Sequence, residues 1–358
     1  MNFASDNVVG ASLPVMQALM QANTGALAAY GADEITRRVK ARFNEIFERE
    51  VSVFLAATGT AANALALSSA VPPWGLCVCH QESHVIDDEC GAPEFFMHGA
   101  KLIGLPGAAA KLEAQAVRTY LEGLPKSVKQ MPPKALSISQ ATECGTIYRP
   151  DEIAALSAVC RDHGMSLHMD GARFVNALVS LGCTPAEMTW KQGVDILSFG
   201  ATKNGCLMAE AIVVFKPELA EGLDYRSKRA GQIISKGRLI AAQLEGYFAA
   251  DHWLANARHA NRMAALLAEG LMRHPSVRLA WPAEANEVFP ILPRRLSDAL
   301  KSAGAVFMGW TEASLPKGER IGSDEALIRL VASFATTESE VRQFLDVVDE
   351  TLSQQAAE

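Results

Sequence analysis

Short apolar runs alternate with amphipathic segments along residues 1–215. Each apolar run lies between Gly, Pro or polar residues, as buried strands do; the runs are VSVFLAA, LCVC, KLIGL, KALSI, MSLHM, VDILSF and AEAIVVF. Apolar residues at helical spacing mark DEITRRVKARFNEIFE, GTAANALALSSAV, whose helix should open at Thr60, and RPDEIAALSAVCRDHG. Strands separated by helices predict an α/β fold with a mostly parallel sheet sandwiched by helices.

The pattern changes after residue 216. The segments PELAEGLDYRSKRAGQ and ANRMAALLAEGLMRH predict long helices, and the strand-like runs SVRLA, EVFPIL, AVFMGW and ALIRLVASF follow. The last segment, TTESEVRQFLDVVDETL, predicts an amphipathic helix that opens with Thr337 and Glu340 at capping-box spacing. We therefore predict an N-terminal arm and large domain over residues 1–245, and a smaller α+β domain over residues 246–358.

Composition and charge narrow the class of ligand. The chain has 358 residues, 49% of them hydrophobic, and a formal net charge of -7 without long runs of one sign. This balance argues against a nucleic-acid partner or an anionic membrane surface, and favours small molecules. No apolar run approaches the roughly 20 residues of a membrane span, and the N-terminus lacks a basic segment followed by an apolar one. We expect a cytoplasmic protein.

Cysteine and histidine positions do not predict a metal site. The seven cysteines are an odd number without a CxxC pair, so reduced thiols are expected. His80 and His84 lie near Cys77 and Cys79, but no second ligand pair follows at a comparable spacing. No metal is assigned.

In an open parallel sheet, ligands bind beyond the carboxyl ends of the strands, so the residues after each apolar run are informative. TGTAAN follows VSVFLAA and offers small residues, a hydroxyl and a helix N-terminus that suits a phosphate. Asp170 and Arg173 follow MSLHM, and Lys203 follows VDILSF. Taken singly, these features favour structural interpretations: an N-cap at Thr58 or Thr60, a structural ion pair and a solvated lysine.

Together the three strand ends indicate pyridoxal 5′-phosphate chemistry. A phosphate cradle, a carboxylate and a later lysine are what that cofactor needs. The lysine forms a Schiff base with the cofactor aldehyde. The aspartate keeps the pyridine nitrogen protonated, so that the ring accepts electrons from a carbanion.

The motifs FASDN, YGAD, TGTAAN, HMDGARFVNA and SFGATKNG together resemble the low-specificity L-threonine aldolases. These are pyridoxal-phosphate enzymes of the aspartate-aminotransferase-like fold, that of type I transferases, and the resemblance is close to the bacterial threonine and phenylserine aldolase branch. It covers the chain from about residue 3 into the C-terminal part. The ordered pair of Asp-Gly-Ala-Arg and Thr-Lys-Asn carries most of the weight, since TGTAAN alone is a weak signal.

The resemblance implies roles for residues around the cofactor. It makes Lys203 the Schiff-base lysine and Asp170 the partner of the pyridine nitrogen. It puts Gly59 and Thr60 at the phosphate, and His84 in the ring-stacking position. Without the resemblance, His84 in its polar loop would be interpreted as a solvent-exposed residue.

The resemblance also implies residues around the substrate. Arg173 is expected near the ring hydroxyl and the substrate carboxylate, and Ser5, Arg329 and Tyr30 among the substrate-binding residues. Arg329 has an independent physical argument, because an arginine within the apolar run ALIRLVASF should meet an anion. The alternative for Arg329 is an outward-facing position on an edge strand.

One position differs from many relatives, and the role of one lysine has a second candidate. Ala32 in YGAD replaces the first of two acids found in many relatives, whereas Tyr30 and Asp33 remain. Lys228 is expected to contact the phosphate from the neighbouring subunit, and Lys236 is a rival for that role. Sites shared between subunits imply a homo-oligomer, with a dimer as the minimum unit and a tetramer as the expected state.

The implied reaction is the retro-aldol cleavage of L-threonine, L-allo-threonine and related β-hydroxy-α-amino acids to glycine and an aldehyde, with L-phenylserine left open. The base is also open: His84 directly or through a water, or a group from a partner subunit. Another lyase or a transaminase with the same cofactor is the alternative. A dehydrogenase would need a G-x-G-x-x-G motif, which is absent, and a silent binding protein would not need intact Lys203 and Asp170.

Overall fold

The computed structural model describes residues 1–355. Its α-helices are α1 Leu13–Ala22, α2 Glu34–Ile46, α3 Gly59–Ala70, α4 His84–Asp87, α5 Ala92–Phe96, α6 Ala114–Glu122, α7 Pro150–Asp162, α8 Phe174–Leu181, α9 Pro185–Met188, α10 Leu223–Arg229, α11 Arg238–Phe248, α12 His252–Leu271, α13 Arg294–Ser302 and α14 Glu338–Gln355. Its strands are β1 Ser52–Ala56, β2 Leu76–His80, β3 Lys101–Leu105, β4 Pro133–Ser139, β5 Ser166–Gly171, β6 Ile196–Gly200, β7 Glu210–Val214, β8 Arg278–Leu279, β9 Glu287–Val288, β10 Pro290–Pro293, β11 Met308–Gly309 and β12 Glu325–Val331.

The central sheet has the strand order β1-β7-β6-β5-β4-β2-β3. β7 is antiparallel to both of its neighbours, and the other neighbouring pairs are parallel. All residues of β2, β5, β6 and β7 are buried, because helices cover both faces of the sheet. The prediction of a mostly parallel sheet sandwiched by helices is confirmed.

Parallel register brings the ends of three neighbouring strands together. Ser139 at the end of β4 lies beside Asp170 on β5, and Asp170 lies beside Ser198 on β6. Behind this edge, Phe199 of β6 packs in an aromatic cluster with ring centroids 5.4 Å from Phe43 and 5.9 Å from Phe248. Aromatic packing of this kind fixes the strand end from which the segment containing Lys203 departs.

A second, smaller sheet has the order β11-β12-β10-β8, with β9 also paired to β12, and its pairs are antiparallel. The N-terminal arm joins this part: the Phe3 N–H donates to the Val306 carbonyl at 2.8 Å, and the Val331 N–H donates to the Phe3 carbonyl at 2.9 Å. The predicted boundary between residues 245 and 246 falls inside α11 and stays a prediction.

Some element boundaries differ from the sequence prediction. α3 begins at Gly59, one residue before Thr60, because the Thr58 hydroxyl caps it by accepting from the Ala61 N–H at 3.1 Å. The predicted long helix from residue 217 is instead a short 3₁₀ turn followed by α10. Gly222 and Gly231 flank α10 in left-handed conformation, which an α-helix cannot continue through. Between residues 1 and 355, no helix is long and apolar enough to cross a membrane.

Candidate active site

A cavity of about 370 Å³ opens at the carboxyl ends of β4, β5 and β6. Its wall includes Asp170, Lys203, His84 and the first residues of α3, Gly59 and Thr60. The site residues that the sequence predicts for the cofactor thus meet at one place, with the exception of Lys228. They meet there because parallel strands direct their carboxyl ends to the same edge of the sheet.

The N-terminus of α3 is built to hold an anion. The first N–H groups of an α-helix have no intrahelical acceptor, and the Thr58 hydroxyl takes only that of Ala61. The N–H groups of Gly59 and Thr60 are therefore available at the cavity wall. A Cβ added at Gly59 would meet no atom within 4 Å, so the space in front of the helix is open. This arrangement fits a phosphate group.

Asp170 is buried at the end of β5, with 5% of its surface exposed. Its Oδ2 accepts from Asn63 Nδ2 at 2.8 Å, and its Oδ1 accepts from the Ala172 N–H at 2.9 Å. Arg173 pairs with other carboxylates, so the alternative of an Asp170–Arg173 ion pair is wrong. A fixed carboxylate on the cavity wall suits a cationic nitrogen of a ligand.

Lys203 lies on a 3₁₀ turn directly after β6, and its side chain is half-buried. The next residue anchors this turn: Asn204 Nδ2 donates to the Tyr247 hydroxyl at 2.6 Å and to the Trp253 carbonyl at 2.9 Å. Asn256 Nδ2 donates back to the Asn204 carbonyl at 2.8 Å. The backbone that carries Lys203 is therefore held by contacts from α11 and α12. These contacts fix the position from which the lysine side chain extends.

His84 opens the short helix α4 and is linked to Asp170 through two side chains. Its Nδ1 lies 2.9 Å from Glu89 Oε1, and Asn63 Nδ2 donates to that same Oε1 at 2.8 Å. The hydrogen bond to Glu89 raises the pKa of His84 above its usual value, even though burial alone would lower it. His84 is thus a fixed member of a hydrogen-bonded network, and not a free residue of a polar loop.

Glu89→Gln should lower the pKa of His84 toward the unperturbed value of about 6.5, since the variant keeps an acceptor but loses the charge that favours imidazolium. A histidine NMR titration measures this, with the resonance assigned by its loss in His84→Asn. Asp87→Asn, at an exposed position of α4, is the control and should leave the pKa of His84 unchanged. An unaltered His84 pKa in Glu89→Gln would contradict the interpretation.

Arg173 also lines the cavity, but two carboxylates already engage its guanidinium. Its Nε lies 2.8 Å from Asp6 Oδ2, and its Nη1 lies 3.3 Å from Glu287 Oε2. Burial would raise the pKa of Asp6, but the positive charges of Arg173 and Lys203 and the hydrogen bonds from Arg173 and Asn286 together outweigh it, and the pKa lies below its usual value. The guanidinium is therefore a fixed part of the wall, held by the N-terminal arm and β9.

Arg329 is half-buried and lies outside the wall of this cavity. β12 has β10 and β11 on its two sides, so the alternative of an edge strand is wrong. Its Nη2 donates to the Ala4 carbonyl at 3.2 Å, and its guanidinium lies 5.0 Å from the Trp310 ring centroid. Within residues 1–355, its buried Nε has no hydrogen-bond partner, which leaves a donor for an anion.

Ser5 follows the Ala4 carbonyl to which Arg329 donates. The Ser5 Oγ accepts from the Asn7 N–H at 3.1 Å, and Asn7 lines the cavity although Ser5 does not. The arm thus connects the Arg329 region to the cavity wall.

Tyr30 and Lys228 lie together on the surface, and neither is part of the wall of the Lys203 cavity. The Lys228 Nζ is 4.9 Å from the Tyr30 ring centroid, and both side chains are exposed. Tyr30 lines a second cavity of about 170 Å³. Lys236 is exposed as well. Within one subunit, neither the predicted phosphate lysine nor its rival is part of the wall of the Lys203 cavity, and their roles stay predictions.

Three glutamates that sequence analysis missed also line the Lys203 cavity: Glu89, Glu143 and Glu210. Burial raises the pKa of Glu143 to about 7 and that of Glu210 to about 7. The Glu210 carboxylate accepts from the Ala201 N–H at 2.9 Å, two residues before the lysine. For Glu210 the available signal was the same as for Asp170, a carboxylate next to an apolar run, whereas Glu89 and Glu143 do not adjoin such a run.

The remaining candidates for chemistry are the cysteine thiols and the possible metal ligands. All seven cysteines are free thiols, as expected. In residues 1–355, no group of three or more His, Cys, Asp and Glu side chains is placed to hold a metal ion.

Comparison with known proteins agrees with this geometry. The family model described as beta-eliminating lyase matches residues 2–292. The low-specificity L-threonine aldolase of Pseudomonas aeruginosa is 46% identical over 84% of this chain and 87% of its own length, and that of a Pseudomonas species is 44% identical over 95% of both. The threonine aldolase structure from Leishmania major has a TM-score of 0.90 at 29% identity, over 98% of this chain and 99% of that one.

These similarities span both sheets and the whole cavity wall, and they confirm the predicted pyridoxal-phosphate type I fold. The chain belongs to the beta-eliminating lyase family and, within it, to the low-specificity L-threonine aldolases.

Proposed function

We propose that this protein is a carbon–carbon lyase that cleaves L-threonine, L-allo-threonine and related β-hydroxy-α-amino acids to glycine and an aldehyde, with pyridoxal 5′-phosphate as cofactor. The observation that carries the proposal is the convergence of Lys203, Asp170 and the α3 N-terminus on one cavity. The threonine aldolases that this chain resembles support the choice of substrate.

The donor set of the cavity fits the cofactor. The N–H groups of Gly59 and Thr60 suit its phosphate, the Asp170 carboxylate suits its protonated ring nitrogen, and the Lys203 amine suits its aldehyde. His84 would lie against the ring. When bound, the cofactor supplies an acceptor for the electron pair of the bond that breaks.

We assign the substrate carboxylate first to Arg329, because its buried Nε is a donor without a partner in the described chain. Ser5, beside the Ala4 carbonyl that Arg329 contacts, would add a hydroxyl. Arg173 already pairs with Asp6 and Glu287, so it would face the ring hydroxyl and share the carboxylate only by loosening one of these pairs. Fixing the carboxylate orients the bond to be broken.

The exposed pair of Tyr30 and Lys228 supports a homo-oligomer, with a dimer as the minimum unit and a tetramer as the expected state. In this arrangement both residues complete the site of a neighbouring subunit, Lys228 or its rival Lys236 at the phosphate and Tyr30 at the substrate. A monomeric active enzyme in light scattering would contradict it. We place the enzyme in the cytoplasm.

A product assay tests the proposed reaction. L-threonine and L-allo-threonine should each give equimolar glycine and acetaldehyde, and L-phenylserine is assayed alongside for benzaldehyde. A β-eliminating enzyme would instead release ammonia and 2-oxobutyrate from L-threonine, and a transaminase would need an added keto acid. Either of these outcomes, without glycine, would replace the aldolase proposal with the alternative from the same cofactor class. Values of kcat/KM for the three substrates then show which β-carbon configuration and which aldehyde product the enzyme prefers.

A further inference from the structure

Glu143 lies in the loop after β4 and contributes to the wall of the Lys203 cavity. Its Oε1 accepts from the Ser139 Oγ at 2.6 Å and from the His84 N–H at 2.8 Å. Its Oε2 is buried, and no donor in residues 1–355 lies within hydrogen-bond distance. A buried oxygen without a protein partner is costly, so a proton, a water molecule or a hydroxyl group of a ligand would satisfy it.

The surroundings of this carboxyl group make it easy to protonate. Burial raises the pKa of Glu143 to about 7, and the nearby Asp170 raises it, while the bonds from Ser139 and the His84 N–H lower it. The titratable and charged groups that face it are Asp170 and Arg173 at the end of β5, His84 on α4, Cys79 on β2, and Cys144 and Tyr148 on its own loop. An acid–base group works best when its pKa is near the working pH.

One ring nitrogen of His84 is already engaged, whereas the Oε2 of Glu143 has no partner in the described residues. Its Nδ1 is taken by Glu89 at 2.9 Å, and the same contact raises its pKa and favours imidazolium. The two groups are connected, since the His84 N–H holds one oxygen of Glu143. The arrangement suits a stationary ring at His84 beside a titrating carboxyl group at Glu143.

We infer that Glu143 is the catalytic base that takes the proton of the substrate β-hydroxyl group through its unpartnered Oε2. The inference rests on the proposed function. The substrate O–H bond breaks, its proton forms an O–H bond with Glu143, and its electron pair becomes the second C–O bond of the aldehyde. The Cα–Cβ bond breaks at the same time, and its electron pair stays with the other fragment, which becomes glycine by taking up one proton from solvent, while Glu143 releases its proton to solvent.

Glu143→Gln in the holoenzyme should lower kcat/KM for L-threonine by about 10²–10⁴-fold, the usual contribution of general acid–base catalysis. In the wild type, kcat/KM should fall as the pH drops through about 7, because protonation of Glu143 removes the base. This acidic limb of the pH profile should be absent from the variant.

Two further measurements do not depend on turnover. Glycine has no β-hydroxyl group, so the change of cofactor absorbance on binding glycine should be retained in Glu143→Gln. In infrared titrations of the cofactor-free proteins, Glu143→Gln should lack one carboxylic-acid band that the wild type shows.

Two further variants keep the test decisive. Glu82→Gln is the matched control: burial also raises the pKa of Glu82 to about 7, but Glu82 does not line the cavity, so the pH limb should remain. Ser139→Ala removes the 2.6 Å hydrogen bond that lowers the pKa of Glu143, so the limb should move to higher pH.

The outcomes separate the two proposals. Loss of glycine binding in Glu143→Gln, or a pH limb that survives in it, would overturn the role of Glu143. Failure of the wild type to release glycine and acetaldehyde would instead overturn the proposed function.

Discussion

Lys203→Ala should abolish aldol cleavage, with kcat reduced by roughly 10³-fold or more, as expected when the nucleophile that organises a reaction is removed. The turn that carries the residue is anchored by Asn204 and its partners, so the backbone should stay in place when the amine is lost. Borohydride should attach the cofactor to the wild-type protein at the peptide that contains Lys203, and peptide mass spectrometry measures this.

Lys216→Ala is the control for Lys203→Ala. Lys216 is an exposed lysine just after the far end of β7, and its loss should change neither kcat nor the labelled peptide. Persistent cleavage in Lys203→Ala, or borohydride labelling at another lysine, would refute the assignment of Lys203.

Asp170→Asn should lower kcat by about 10²–10³-fold, which is typical for the loss of one group that stabilises developing charge in a buried site. The carboxylate would keep the ring nitrogen protonated, and the neutral amide has no negative charge for this purpose. The variant also has one oxygen for the two donors of Asn63 and Ala172, so some loss of stability is expected. Steady-state kinetics with L-threonine measures the first effect and thermal unfolding the second.

Asp195→Asn is the matched control for Asp170→Asn. Asp195 precedes β6, at the opposite end of the sheet, and its Oδ2 accepts from the Leu167 N–H at 2.9 Å. This variant should lose stability without the loss in kcat. A kcat that fell equally in both variants would show that Asp170 acts through the fold and not through the cofactor.

The order of elements could be predicted from the sequence, but the strand order could not. The seven apolar runs before residue 216 each became a strand of the central sheet, because burial on both faces leaves a local signature. The placement of β7, antiparallel between β1 and β6, has no such signature. The residues of an apolar strand such as Glu210–Val214 do not indicate whether it runs parallel or antiparallel to its neighbours.

The candidate site was predicted in part. Lys203, Asp170, Gly59, Thr60 and His84 meet at one cavity because each lies at a strand end or a helix start, which is a local property. The glutamates of the wall were missed, since a carboxylate next to an apolar run, such as Glu210, does not show locally whether a distant element will bury it. The pairing of the exposed Tyr30 and Lys228 was also beyond the sequence, which gave no reason to bring these residues together.

The sequence by itself determined where strands end and which reactive side chains stand there, because hydrophobic periodicity and small residues act over a few positions. Only the tertiary structure decided which of these side chains are already engaged and which are free. Arg173 meets Asp6 across 167 positions of the chain, and Glu143 accepts from the His84 N–H across 59 positions. Contacts at that range depend on packing, and packing sets the dielectric surroundings and the partners that decide where a proton resides.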